Sequence, residues 1–204
     1  MDASTDIRAA VRFVAIANLA YFGIEFAVAT TIGSVSLFAD SVDFLEDASI
    51  NLLILVALGW PAPKRARLGM ALACILLIPG LATLWTAWQK FGTPTPPQPG
   101  LLSLAGGGAL AVNLTCAFML ARYRHRHGSL TKAAFLSARN DALGNVAIIG
   151  AGAVTAYTLS AWPDLIVGLG IAAMNADAAR EVWTAARQEH RDRADPERLL
   201  DSDD

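Results

Sequence analysis

Residues 38–60 read FADSVDFLEDASINLLILVALGW, and how this run is read decides the fold. Asp40, Asp43, Glu46 and Asp47 crowd four carboxylates into fourteen residues, and the wholly apolar LLILVALGW follows at once. Before them, an apolar stretch reaches back to Val11. A charged side chain at the centre of a bilayer costs about 2.5–3.5 kcal/mol on insertion scales. Acids placed there therefore face a protein interior and serve a purpose.

The rest of the chain says that this is a bilayer segment. Of 204 residues, 54% are hydrophobic and 17% charged; soluble domains average about 45–50% and 25%. Segments near the roughly 20 apolar residues that a spanning helix needs lie at about 10–31, 33–60, 66–88, 100–121, 130–158 and 162–184. Each of the connections TTIGS (30–34), PAPKRAR (61–67), KFGTPTPPQPG (90–100), RYRHRHGS (122–129) and LSAWPD (159–164) holds a proline or a glycine, the residues that break helices. No strand-like alternation is present. The sequence predicts an all-α bundle of six transmembrane helices in one domain, 1–187, with a short charged tail, 188–204, and no soluble domain. The first and last connections are short enough to make antiparallel hairpins of helices 1–2 and 5–6.

Fourteen of the sixteen Lys and Arg residues fall at the N-terminus, in the second and fourth connections or after the sixth segment. Lys90 lies in an opposite-side loop, and Arg139 lies within the fifth segment. Positive charge marks the cytoplasmic side, so both termini are expected there. Trp60, Trp85, Trp88 and Trp162 sit near segment ends, as in an aromatic belt. Cys74 and Cys116 lie in apolar runs and read as small buried hydrophobes. His125 and His127 read as part of a solvated basic loop at the headgroups, and His190 carries no signal. Arg139 reads as snorkelling to the surface rather than neutralising Glu46. No basic patch with stacking aromatics suggests nucleic acid. The arginine- and alanine-rich composition fits a bacterial source, and the expected location is the cell (inner) membrane.

Spacing organises the acids. Asp43 and Asp47 are i, i+4 and stack on one helical face, with Asp40 and Asn51 on the same stripe. Glu46 points to the side. The fifth segment repeats the pattern with Ser137, Asp141 and Asn145, among small residues that permit close helix approach. At about 1.5 Å per residue, Asp43, Asp47 and Asp141 all fall near mid-membrane. If the two helices touch, three carboxylates meet in a low-dielectric space, where protons or a cation must neutralise them. Metal binding there displaces protons. A lone acid of this kind reads as a structural hydrogen-bonding group; two matched stripes do not. Asp40, nearer the helix end, is expected to cap the helix or meet solvent.

These residues resemble the cation diffusion facilitator family. SLFADSVDFLED (36–47) matches the family's second-helix string, with Asp43 and Asp47 on its paired positions. SARNDALGNVAII (137–149) is similar to its fifth-helix string, with Asp141 on the final acid. NLAYFGIEF (18–26) and WPDLIVGLGIAA (162–173) also look like the family, so the resemblance runs from residue 8 to about 187. It implies helices 1, 2, 4 and 5 around a path, helices 3 and 6 paired beside it, and a tetrahedral metal site from helices 2 and 5. It implies a secondary transporter, not an enzyme. That transporter exports a divalent metal, zinc foremost, by alternating access in exchange for protons, as a homodimer.

Two departures follow. Ser137 stands where the family places His or Asp, so the fourth ligand is water, the Ser137 oxygen, Asn140 or Asn145, and cadmium, cobalt, iron and manganese stay open. The family's cytoplasmic metal-binding domain has no counterpart after helix 6, so a dimer would rest on membrane helices. The expected metal residues are Asp43, Asp47, Asp141 and Ser137, with no permanently bound cofactor; Gly33, Gly144 and Gly150 are expected to let helices rock. An intramembrane metal enzyme, such as a CDP-alcohol phosphatidyltransferase-like protein, is the alternative. Its D-G-x-x-A-R string is missing, and helix 3 carries no acid.

Overall fold

The computed structural model describes residues 3–57, 81–121 and 129–175, with side chains from residue 8 onward and without those of 54, 57 and 129–139. Every regular element among them is helical: α1 (Ala3–Ile32), α2 (Val35–Ala57), α3 (81–92), α4 (Pro99–Ala121), α5 (Ser129–Thr158) and α6 (162–175). Arg8–Ile32 and Pro99–Ala121 are long and apolar enough to cross a membrane by length and composition. The acids of α2 dilute its apolar character.

The surface and interior are inverted relative to a soluble protein. Leu104 and Phe118 on α4, Leu143 on α5 and Trp88 on α3 are exposed, while Asn18, Glu25, Asp40, Asn113 and Asn145 are buried. Apolar groups outside and polar groups inside suit a hydrocarbon solvent.

α1 packs along α2, α2 against α5, α5 along α4 and α4 against α1, so these four helices close a ring. Close backbone approach holds α4 to α5: a Cβ on Gly106 would stand 2.9 Å from Ile148 Cγ2, and one on Gly152 would stand 2.2 Å from Ser103 Oγ. Ala29, Leu37, Phe38, Leu102, Ala105 and Ile148 fill one end of the ring. Val14, Cys116, Ala117 and Leu120 pack in a second cluster. α3 and α6 meet beside the ring, where Ala87, Ala161 and Leu165 pack on Val35 and Phe91 meets Trp162 edge-on at 5.7 Å.

The α1–α2 hairpin turns at Gly33, which holds φ +63°, the left-handed region that favours glycine. Ser34 then caps α2, its Oγ accepting from Leu37 N at 3.1 Å. Gly144 and Gly150 make no close helix contact; the tight approaches belong to Gly106, Gly108, Gly152 and Gly168.

Lys90 departs from the expected loop. α3 continues through it, its side chain is 6% exposed, and its Nζ bonds Asp164 Oδ2 at 3.0 Å and the Gly33 carbonyl. The sequence reads as an opposite-side loop there because a run rich in Pro and Gly follows; a buried acid on a distant segment is not visible in it. Asp164 also accepts from Ser34 Oγ (2.6 Å), Val35 N (2.9 Å), Ser36 N (3.1 Å) and Ser36 Oγ (2.7 Å). One carboxylate thus caps α2 and ties α3 and α6 to it.

Candidate metal site

The ring brings the acid stripe of α2 to face α5. Asn145 Nδ2 donates to Asp40 Oδ2 at 2.6 Å, and Leu37 and Phe38 of α2 pack with Ile148 of α5. These contacts fix an antiparallel register: Asp40 is level with Asn145, and one turn along both helices sets Asp43 level with Asp141. One further turn sets Asp47 level with Ser137. The i, i+4 spacing on each helix thus becomes a ladder of matched rungs.

Asp47 is buried and Asp43 and Asp141 are partly buried. Glu46 is also partly buried. Asp47 and Asp141 each make further interactions. Cys116 of α4, a buried free thiol, lies within the field of Asp47. Asn51, a turn further along the stripe, donates from Nδ2 to the Asp47 carbonyl at 2.8 Å. Among the described residues, no three His, Cys, Asp or Glu side chains stand close enough together to hold one ion. Ser137 lies on α5 with its side chain outside the description, as does Arg139, so that residue's choice between Glu46 and the surface lies there too. His125, His127 and His190 fall outside the described residues.

Asp40 does not cap the helix or meet solvent. It is 1% exposed, and Ser34 is the cap. Helix position alone suggested an end residue; the hairpin with α1 and the contact with α5 bury it. Across the α1–α2 hairpin, Glu25 of α1 stands level with it. Glu25 is fully buried. The sequence quoted Glu25 only as part of a resemblance, and its burial among carboxylates went unread. An i, i+7 relation with the equally buried Asn18, running through Tyr21, was the available signal.

The α1–α2 register is read from ring contacts. Tyr21 meets Phe44 at 5.0 Å and Phe26 meets Phe38 at 5.2 Å, which sets Glu25 level with Asp40. The same register sets Asn18 level with Asp47. Tyr21 donates its hydroxyl to the Ala105 carbonyl at 2.6 Å, tying α1 to α4. Asn113 of α4 donates to Asn145 Oδ1 at 3.0 Å. The Asn113–Asn145–Asp40 chain therefore links α4, α5 and α2 through the ring's interior.

Such a lining has the chemistry of a cation path: oxygen donors, net negative charge and neutral amides to hold the ring together. Compared with known protein families, the chain matches the cation efflux transmembrane domain over residues 11–188. That span holds all of the described helices but the first eight residues of α1, and every carboxylate of the ladder. The chain therefore belongs to the cation efflux family, the cation diffusion facilitators, which are transporters of metal cations rather than enzymes.

Proposed function

We propose that this transporter exports a divalent transition metal, zinc foremost, in exchange for protons by alternating access. Asp43, Asp47 and Asp141 bind the ion by drawing closer together than they stand in this structure, with Ser137 or water completing the set. The observation that carries this reading is the α2–α5 register, which sets Asp43 level with Asp141. Two facing carboxylates in a low-dielectric ring repel one another and are drawn together by a dication. Carboxylate oxygens must shed protons to ligate a metal, so binding and proton release are linked. An all-oxygen set admits cadmium, cobalt, iron or manganese as well.

Export from the cytoplasm is proposed from the family resemblance, with both termini cytoplasmic and a bacterial inner membrane as the proposed location. A homodimer through membrane helices is proposed from the family resemblance. The test is zinc transport into proteoliposomes, read with an internal zinc dye. Wild type is expected to transport, and Asp47→Ala and Asp141→Ala to lose transport while keeping the helical circular dichroism of the folded chain. Wild-type rates in Asp47→Ala would refute the assignment.

A further inference from the structure

Asn18 of α1 is wholly buried, and neither polar atom of its amide has a hydrogen-bond partner. Buried polar groups are almost always satisfied, so an amide left open at both ends calls for an explanation. One turn past Asp47 on α2, Asn51 is buried as well, and its Oδ1 is likewise without a donor. Its Nδ2 is spent on the Asp47 carbonyl.

The helix register gathers these groups. Tyr21 on Phe44 and Phe26 on Phe38 align α1 with α2 and set Asn18 level with Asp47. Val14 of α1 packs with Cys116 of α4, so that face of α1 looks into the ring. Asn18, one turn on from Val14, shares the face. Two undonated amide oxygens, one on each helix of the hairpin, thus lie at or within one turn of the Asp47 level.

The asparagines of α5 are differently placed. Asn145 is held at both ends, its Nδ2 donating to Asp40 and its Oδ1 accepting from Asn113. Asn140 is exposed. Among the described residues, Asn18 is the asparagine that is both enclosed and unbonded at both ends. An amide oxygen is an ordinary ligand for a divalent cation. It carries no charge, so it adds no repulsion to the three acids when the site is empty. Being unbonded, it turns its oxygen to an ion without first breaking a hydrogen bond.

We propose that Asn18 supplies, from α1, the neutral oxygen that completes the ligands of the divalent metal, in the place otherwise left to Ser137 or water. This rests on the metal site of Asp43, Asp47 and Asp141 proposed above. A cation held in this way joins α1 to α2 and α5.

The test compares wild type, Asn18→Leu, Asn18→His and Asp47→Ala as full chains in detergent, with zinc, cobalt and manganese salts as probes. Leucine is close to asparagine in size and removes no hydrogen bond, so Asn18→Leu is expected to melt no lower than wild type without metal. Even the outer partners of a metal are worth about 10–100-fold in affinity, so loss of a direct ligand should weaken zinc binding by about tenfold or more. Asn18→His sets an imidazole at the same place. The visible absorption of bound cobalt should then shift as nitrogen enters an all-oxygen set, and zinc should gain on manganese. Wild-type zinc binding in Asn18→Leu, with binding lost in Asp47→Ala, overturns the role of Asn18 and leaves the carboxylate site standing. Wild-type binding in Asp47→Ala overturns the site itself. If the leucine variant does not fold, the histidine variant decides: cobalt bands identical to wild type refute the contact.

Discussion

Asn145 of α5 holds Asp40 of α2 at 2.6 Å, one turn along both helices from Asp43 and Asp141, which the register sets level with each other. A neutral amide thus fixes the spacing of two helices at the point where like charges push them apart. Its Oδ1 is held in turn by Asn113 of α4.

Asn145→Ala removes both bonds and leaves Asp40 Oδ2 and Asn113 Nδ2 buried without partners. Each such group costs about 1–3 kcal/mol. The expected result is a clear fall in the melting temperature in detergent, larger than that of Tyr21→Phe, which loses one neutral bond worth about 1 kcal/mol.

Lys90→Met leaves the Asp164 carboxylate without its counter-ion. Breaking a buried pair from one side costs about 3–5 kcal/mol. Asp164→Ala should cost at least as much, because Ser34, Ser36 and Val35 N lose their acceptor together. Thermal unfolding of the two variants side by side checks the order.

Gly168→Ala and Gly150→Ala should differ sharply. A Cβ at Gly168 would stand 2.7 Å from Ser36 N and from the Val35 carbonyl carbon, backbone that cannot swing aside. At Gly150 nothing lies within 4 Å. The first is expected to loosen α6 from α2 and abolish transport. The second should be neutral or stabilising by up to about 1 kcal/mol, the helix preference of alanine over glycine.

Zinc should stabilise the folded chain by about 2.7 kcal/mol at a hundredfold excess over its Kd. Asp43→Asn and Asp141→Asn should lose this gain and Glu25→Gln should keep it. Melting curves with and without zinc decide it.

The six helices, their order and the acid stripes were legible in the sequence. Helix period and apolar length are local properties, so FADSVDFLED (38–47) and SARNDALGN (137–145) announced their faces without a partner in view. Legibility failed where a residue's state depends on a distant segment. Asp40 looked like a helix-end group until α1 and α5 closed over it. Lys90 looked like a loop residue until Asp164, seventy-four positions away, took its charge.

By itself, then, the sequence determined an all-helical membrane chain with carboxylates on helices 2 and 5, because a hydrocarbon solvent enforces hydrogen-bonded helices and inward-facing charge. Only the tertiary structure decided which acids meet. The antiparallel register of α2 with α5 pairs Asp43 with Asp141, and that of α1 with α2 pairs Glu25 with Asp40. Register is set by packing, through ring contacts such as Tyr21 on Phe44 and glycine approaches such as Gly152 on Ser103, and no single helix carries that information.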